Sequence, residues 1–157
     1  RKRSLKKSSI YNLSFSNSWS NISEFWSILS QNLQDRHLAR PTHTLDEINL
    51  LHECFDDKIL LITAFDDGEL TGGVLFFNNF PVFHAQYIAS TTKGNNVSAL
   101  DFLFNESIKY AESLNYNYFD FGISTTHHGT VINSGLYSFK SEFGSTGVSH
   151  EFFELNL

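Results

Sequence analysis

Residues 81–108 read PVFHAQYIASTTKGNNVSALDFLFNESI and predict three consecutive pieces of structure. An extended strand is expected from Val82 to Ser90, a loop of small polar residues from Thr91 to Val97, and a helix that opens at Ser98. The first N–H groups of a helix lack partners within it, and the helix dipole adds positive potential there. Together with Lys93 in the loop, they predict a site for an anion, such as the phosphate of a donor molecule.

The strand before this loop carries three polar side chains, His84, Gln86 and Tyr87. Because side chains alternate along a strand, Gln86 should share the face of His84 and is a candidate for binding substrate, while Tyr87 should pack in the core. An imidazole changes its charge near neutral pH, so His84 is a candidate general base. A hydrogen-bonded core histidine is an equally good interpretation.

Outward from this segment, the apolar spacing predicts further helices and strands in the order β-α-α-β-β-β-α-β-α-β, an α+β fold. Thr44 and Glu47 form a capping box, and Ser98 with Asp101 forms another. The predicted strands are Ser9–Phe15, Ile59–Phe65, Leu70–Phe77, Val82–Ser90, Tyr116–Ile123 and Gly147–Leu155; the predicted helices open at Ile22, Thr44, Ser98 and Asn133.

The composition fits one globular domain over residues 1–157, with 41% apolar and 15% aromatic residues. Five of the eleven basic residues lie among the first seven positions, and the net charge is −6, so the rest of the chain is acidic. Duplex DNA binding needs many cationic contacts to phosphate and is not expected. The basic start is interpreted as a solvated arm or as the flank of a first strand.

Several classes of protein are excluded by what the sequence lacks. Its single cysteine, Cys54, allows no internal disulfide or cysteine-rich zinc site and favours a cytoplasmic location. No apolar run is long enough to span a bilayer. The pair His127-His128 lacks the spacing of metal ligands, so no metal is predicted. Because the sequence contains no Met, we expect it to be the C-terminal part of a longer chain.

Four potential cations lie between the first two predicted helices: Arg36, His37, Arg40 and His43. They are suited to binding an acidic acceptor molecule. They are equally suited to the C-terminus of a helix and the loop after it, where positive charge is favourable.

Three segments, in order, resemble the FemAB-like branch of the GNAT acyltransferases: His84–Ser90, Phe119–Ser124 and Gly135–Gly144. The resemblance implies a GNAT-like, mainly antiparallel mixed sheet with helices on both faces. It also implies an enzyme that moves an acyl group from acyl-CoA, such as acetyl-CoA, to an amine of a sugar or cell-envelope precursor. The partners would be these small molecules.

The resemblance also implies roles for particular residues. Lys140, in the segment Phe139–Gly144, would stabilise negative charge on the reacting carbonyl; the alternative is an exposed surface lysine. Asp120 would orient His84 or bind an amine, although a structural carboxylate is an alternative, and Ser124 would lie near the acceptor. Substrate-binding candidates are Gln86, Ser124, Arg36, His37 and His43, and donor-binding candidates are Ser90, Lys93, Gly94, Asn95 and Ser98.

The donor loop departs from the usual GNAT pattern, because Ser90–Val97 supplies one glycine where the family's pyrophosphate loop, Gln/Arg-x-x-Gly-x-Gly/Ala, has two small residues. Gly-Asn-Asn is also an ordinary turn. One alternative is therefore a FemAB-type transferase that takes an aminoacyl group from charged tRNA, although tRNA is not the favoured partner. A second alternative is a catalytically inactive domain that binds a ligand in the same cleft.

Overall fold

Five strands form the central sheet of the computed structural model, which describes residues 2–149, 151 and 153–155. They are β1 (Leu13–Ser16), β2 (Ile59–Asp66), β3 (Glu69–Asn79), β4 (Val82–Ser90) and β5 (Tyr118–Asp120). The strands lie in the order of their numbers. Neighbours from β1 to β4 are antiparallel, and β5 runs parallel to β4.

The helices of the first compact unit, Arg1–Gly122, are α1 (Lys2–Ser8), α2 (Ile22–His37), α3 (Leu45–Cys54), α4 (Thr92–Val97) and α5 (Ala99–Ser113). A second unit, Ile123–Leu157, contains a two-stranded hairpin, β6 (Thr125–Thr126) and β7 (Val131–Ile132), followed by α6 (Ser134–Ser141). The fold is a mixed α+β, GNAT-like arrangement with a five-stranded sheet and flanking helices, as the sequence predicts.

Helices α2 and α5 cover opposite faces of the sheet. Leu75 packs with Phe25 and Leu29 of α2, whereas the ring of its neighbour Phe76 contacts Phe119, which in turn contacts Phe104 of α5. Consecutive residues of a strand point to opposite faces, so β3 divides two cores. The α5 side is built largely from phenylalanine rings, which accounts for much of the aromatic content.

The capping box predicted at Thr44 and Glu47 is confirmed at atomic level. Glu47 N donates to Thr44 Oγ1 at 3.2 Å, and Thr44 N donates to the Glu47 carboxylate at 2.7 Å. This backbone hydrogen bond lowers the pKa of Glu47. At Gly73 an added Cβ would lie 2.5 Å from the ring of Phe25, so a glycine is needed where α2 packs on β3.

The predicted loop Thr91–Val97 is wrong, because residues 92–97 form α4. Thr91 caps this helix by accepting a hydrogen bond from Gly94 N at 3.0 Å. Ser98 is in the left-handed conformation, with φ 61°, and makes no capping hydrogen bond with its side chain, so the predicted box with Asp101 is absent. Ser98 separates the two helices, and α5 begins one residue later than predicted.

The ends of the chain also differ from the prediction. Residues 2–8 form a helix rather than an irregular arm, but Lys2, Arg3, Lys6 and Lys7 are exposed on it, which agrees with a solvated basic start. The first strand is confined to Leu13–Ser16. The fifth strand is limited to Tyr118–Asp120 rather than 116–123. No strand is present in residues 147–149, 151 and 153–155, so the closing strand predicted there is wrong for these residues, while 150 and 152 lie outside the described part.

Candidate active site

Strands β4 and β5 separate soon after they meet. Their parallel pairing covers Val82 to His84 opposite Tyr118 to Asp120. Strand β4 continues to Ser90, and within the described residues no strand pairs with this edge beyond His84. At the point of separation Gly122 has φ 74°, and a Cβ there would lie 3.2 Å from the carbonyl oxygen of Ala85. A glycine is therefore favoured where the chain turns close to β4.

Three of the predicted site residues meet at this point: His84, Gln86 and Asp120. His84 Nδ1 lies 2.7 Å from Asp120 Oδ2, and His84 Nε2 lies 3.1 Å from Gln86 Oε1. Asp120 Oδ1 accepts a hydrogen bond from Gly122 N at 2.8 Å. The side chains of His84 and Asp120 are 32% and 46% exposed, so the pair is accessible from solvent.

The two oxygen neighbours of His84 correspond to the hydrogen-bond pattern of an imidazolium ion, in which both ring nitrogens donate. A turn of the Gln86 amide by 180° presents its N–H to Nε2 and matches the neutral ring, with Nδ1–H donating to Asp120. The same three side chains therefore have satisfied hydrogen bonds in either protonation state. This arrangement suits a residue that takes up and releases a proton.

A bulge in β4 changes the predicted orientation of its side chains. Leu75 pairs with Tyr87 and Phe76 with Ala85, so Gln86 is an extra residue in β4. Tyr87, opposite Leu75, and His84, opposite Phe77, consequently lie on the same face of the sheet, towards α2. The prediction that Tyr87 and His84 face opposite sides is wrong, although Tyr87 does pack in the core and is 8% exposed.

His43, from the loop between α2 and α3, contacts this face. Its Nδ1 lies 2.6 Å from the hydroxyl of Tyr87, and its ring meets the ring of Phe77 edge to face at 6.4 Å between centroids. Phe77 is the cross-strand neighbour of His84. The loop histidine and the candidate base are thus placed on one face of one sheet.

A surface cavity of about 470 Å³ opens beside His43, between α2 and the loop that follows it. Sequence analysis missed most of its lining. The polar residues of α2 at the cavity have the 3, 4, 7 spacing of one helical face, which is the signal that was available in the sequence. The lining consists of Trp26, Ser27, Ser30, Gln31, Gln34, Arg40, Pro41, His43 and Thr44.

Arg36 and His37 are not among the residues that line this cavity. Both are exposed and occupy the last turn of α2, where positive charge complements the helix dipole. The structure thus separates the predicted group of four cations into a pair at the end of a helix and a pair at the cavity.

The predicted donor-binding segment is packed against β3. The Lys93 ammonium lies 2.8 Å from Glu69 Oε2 and 3.4 Å from Asp66 Oδ2, and the hydrogen bond to Glu69 raises the pKa of Lys93. A Cβ at Gly94 would lie 2.0 Å from the carbonyl oxygen of Thr71. Ser90 Oγ donates to the same carbonyl at 3.1 Å. Asn95 is exposed, and Ser98 is partly buried at the junction of α4 and α5.

Lys140 and Ser124 belong to the second unit, within which Lys140 Nζ donates to the carbonyl oxygen of Ile123. Lys140 is 6% exposed, so the interpretation as an exposed surface lysine is wrong. The carbonyl oxygen of Ser124 accepts from Asn133 N at 2.9 Å, and Asn133 caps α6. Within the described part of the chain, no three His, Cys, Asp or Glu residues are grouped as a metal site would require.

The sequence matches the model of the acetyltransferase (GNAT) domain over residues 1–135. The chain therefore belongs to the GNAT acetyltransferase family. It is a GNAT-type N-acetyltransferase, and acetyl-CoA is the acyl donor of this family. No curated protein matches the sequence significantly. No described helix combines the length and the apolar character that crossing a membrane requires.

Solved structures with the same fold share little sequence with this chain. A possible acetyltransferase from Clostridium difficile 630 is 6% identical, with a TM-score of 0.70 over 92% of this chain and 97% of that one. A predicted acetyltransferase with acetyl-CoA from Clostridium acetobutylicum is 16% identical, with a TM-score of 0.58 over 92% and 96%. An aminoglycoside N-acetyltransferase in complex with CoA is 13% identical, with a TM-score of 0.66 over 93% and 95%.

Proposed function

We propose that this acetyltransferase acetylates an amine of a sugar or other cell-envelope precursor, with His84 as the general base and Asp120 as its positioning residue. The observation that carries the proposal is the contact of His84 with Asp120 at the point where β4 and β5 separate. The FemAB-like character of the three motifs supports the envelope precursor as acceptor.

The chemistry requires a proton acceptor, because an amine that attacks a carbonyl carbon must lose a proton as the new C–N bond forms. His84 Nε2 is suited to receive this proton. Asp120 accepts from Nδ1–H, which fixes the tautomer with the lone pair on Nε2 and stabilises the imidazolium that results; the incoming amine replaces the Gln86 N–H at that lone pair. Gln86 accepts from Nε2–H once the proton has been transferred.

The free edge of β4, the part beyond His84 with which no described strand pairs, suits the donor. Acetyl-CoA supplies an electrophilic thioester carbonyl and a thiol leaving group, and its pantetheine arm is an extended chain with two amides. Backbone groups at the edge of a sheet bind such a chain as they would bind an added strand. The free edge runs from His84 towards Ser90, after which the proposed phosphate-binding residues Lys93, Gly94, Asn95 and Ser98 follow.

The proposed role of Lys140 rests on the resemblance of Phe139–Gly144 to the family's segment. Lys140 is buried, and its ammonium donates a hydrogen bond to the carbonyl oxygen of Ile123. We propose that it stabilises negative charge that develops on the reacting carbonyl oxygen.

The test replaces His84 by Asn, which still forms hydrogen bonds but cannot take up the proton. With acetyl-CoA and an amino-sugar acceptor, we expect kcat to fall by about 10² or more, since general bases contribute about 10²–10⁴. The matched control is His128→Asn, because His128 is exposed in the turn between β6 and β7. Release of free CoA thiol measures the rate. Equal rates in the two variants would refute His84 as the base.

A further inference from the structure

We infer that the cavity between α2 and the α2–α3 loop is the acceptor subsite and that it selects amines bearing an anionic group, a phosphate or a carboxylate, through Arg40 and His43. This inference rests on the proposed function, since it defines the class of acceptor that the same enzyme takes. Such a subsite explains why two of the four potential cations between these helices line a cavity while the other two end a helix.

The charge of the cavity is opposite to that of the chain. Its lining includes Arg40 and His43 but no Asp or Glu, in a protein with seventeen acidic and eleven basic residues. Asp35 and Glu47 lie on the adjoining helices. Asp35 accepts a hydrogen bond from Gln31 at 2.7 Å, and Glu47 belongs to the capping box, so both carboxylates already have partners.

Arg40 forms no ion pair or hydrogen bond with any residue in the described part of the protein. A guanidinium presents five N–H donors in a planar fork that fits a carboxylate or a phosphate with two parallel hydrogen bonds. An unpaired arginine at the mouth of a cavity without carboxylates is therefore available to a ligand.

The loop that carries Arg40 is fixed at both ends. Leu38 ends α2 in the left-handed conformation, with φ 51° and its N–H bonded to Gln34 O, and Thr44 opens α3 within the capping box. Pro41 restricts the backbone of Arg40 to extended conformations. The loop thus loses little conformational entropy when a ligand binds, which increases affinity.

The cavity also lies on the correct face for transfer. His43 contacts both Tyr87 and Phe77, and Phe77 is the cross-strand neighbour of His84. Serine hydroxyls, glutamine amides and the ring of Trp26 in the lining suit the hydroxyl groups and apolar face of a sugar. A polycationic acceptor would require carboxylates in the same position, and the lining has none.

The test uses four amino sugars with different charges: glucosamine, glucosamine 6-phosphate, muramic acid and kanamycin. Binding to the ¹⁵N-labelled protein is measured by NMR, without donor, from the amide signals of the cavity residues and the indole signal of Trp26. We expect glucosamine 6-phosphate or muramic acid to bind about tenfold more tightly than glucosamine, with kanamycin weakest, as one charge-assisted contact predicts. The tighter of the two identifies phosphate or carboxylate as the recognised group.

In Arg40→Gln the preference for the anionic sugar should disappear, and in the wild type it should weaken as NaCl is added. The control is Arg3→Gln, which removes the same charge from an exposed position of α1 and should keep the preference. The inference would be overturned if glucosamine bound as tightly as the anionic sugars, if kanamycin bound more tightly than they do, or if none of the four sugars bound. It would also be overturned if Arg40→Gln and Arg3→Gln lost the preference for the anionic sugar to the same extent.

Measuring acetyl transfer from acetyl-CoA to the same four sugars distinguishes a failure of the proposed subsite from a failure of the proposed function. Binding that prefers the anionic sugars without any acetylation would leave the subsite standing and refute the proposed transfer to amino sugars. Acetylation that is indifferent to the anionic group would support the transferase and refute the subsite.

Discussion

The neighbours of His84 determine how this residue handles a proton. Asp120 holds Nδ1, and the Gln86 amide, which can present either its oxygen or its nitrogen, faces Nε2. An amide is therefore suited to a base that must alternate between neutral and charged forms. A carboxylate at the same position would favour only the charged form.

This reasoning predicts the effect of Gln86→Glu. The new carboxylate should hold the proton on Nε2, so the acid limb of the kcat/KM profile should move to higher pH, and the rate at neutral pH should fall about tenfold or more. Gln86→Met is the control of similar size that adds no charge, and its limb should stay near that of the wild type. Profiles of free CoA thiol release against pH measure both. A Glu variant with an unshifted limb would argue against proton uptake at Nε2.

At this scale the sequence was informative about chemistry but not about orientation. His84, Gln86 and Asp120 could be identified as candidates from their strands and motifs, and the structure brings them together. The bulge at Gln86 could not be predicted, because it depends on how β4 pairs with β3. Its neighbours in the sequence, Ala85 and Tyr87, are residue types that fit on either face of a sheet. Arg40 likewise carried no local signal that distinguished it from Arg36.

The loop between α2 and α3 forms one wall of the cavity, and the capping box at Thr44 fixes the C-terminal end of this loop. We expect Thr44→Ala to lower the free energy of unfolding by about 1 kcal/mol, the usual effect of a lost cap. For a chain of this size the melting temperature should fall by about 2–4 °C. Thr42→Ala, two residues earlier in the exposed loop, should have little effect. Thermal unfolding followed by circular dichroism measures the difference, and equal melting temperatures for the two variants would contradict it.

Elements with a strong local signal were predictable, and those defined by tertiary contacts were not. Strand β4 spans Val82–Ser90 as predicted, because its apolar residues are flanked by a proline and a small-polar segment. Helix α4 contains a glycine and two asparagines, which disfavour helix on intrinsic propensity. It forms because Gly94 packs directly on Thr71, a contact between distant parts of the sequence.

For the whole molecule, the net charge of −6 and the charge of the donor have the same sign. Long-range attraction therefore cannot account for binding of acetyl-CoA, which is itself an anion. Local contacts must supply the affinity. The amide arm along the free edge of β4 can make such contacts in addition to those proposed between the phosphates and the segment that contains Lys93.

This argument predicts that CoA stabilises the protein through its arm. At a concentration 100 times its dissociation constant, a ligand that binds only the folded state adds about 2.7 kcal/mol to the free energy of unfolding. The melting temperature should therefore rise by about 5–10 °C. ATP shares an adenine nucleotide and phosphates with CoA but lacks the pantetheine arm, so it should produce a much smaller shift. Scanning calorimetry at matched ligand concentrations provides the comparison. Equal stabilisation by ATP and CoA would place the affinity in the phosphates and argue against binding along β4.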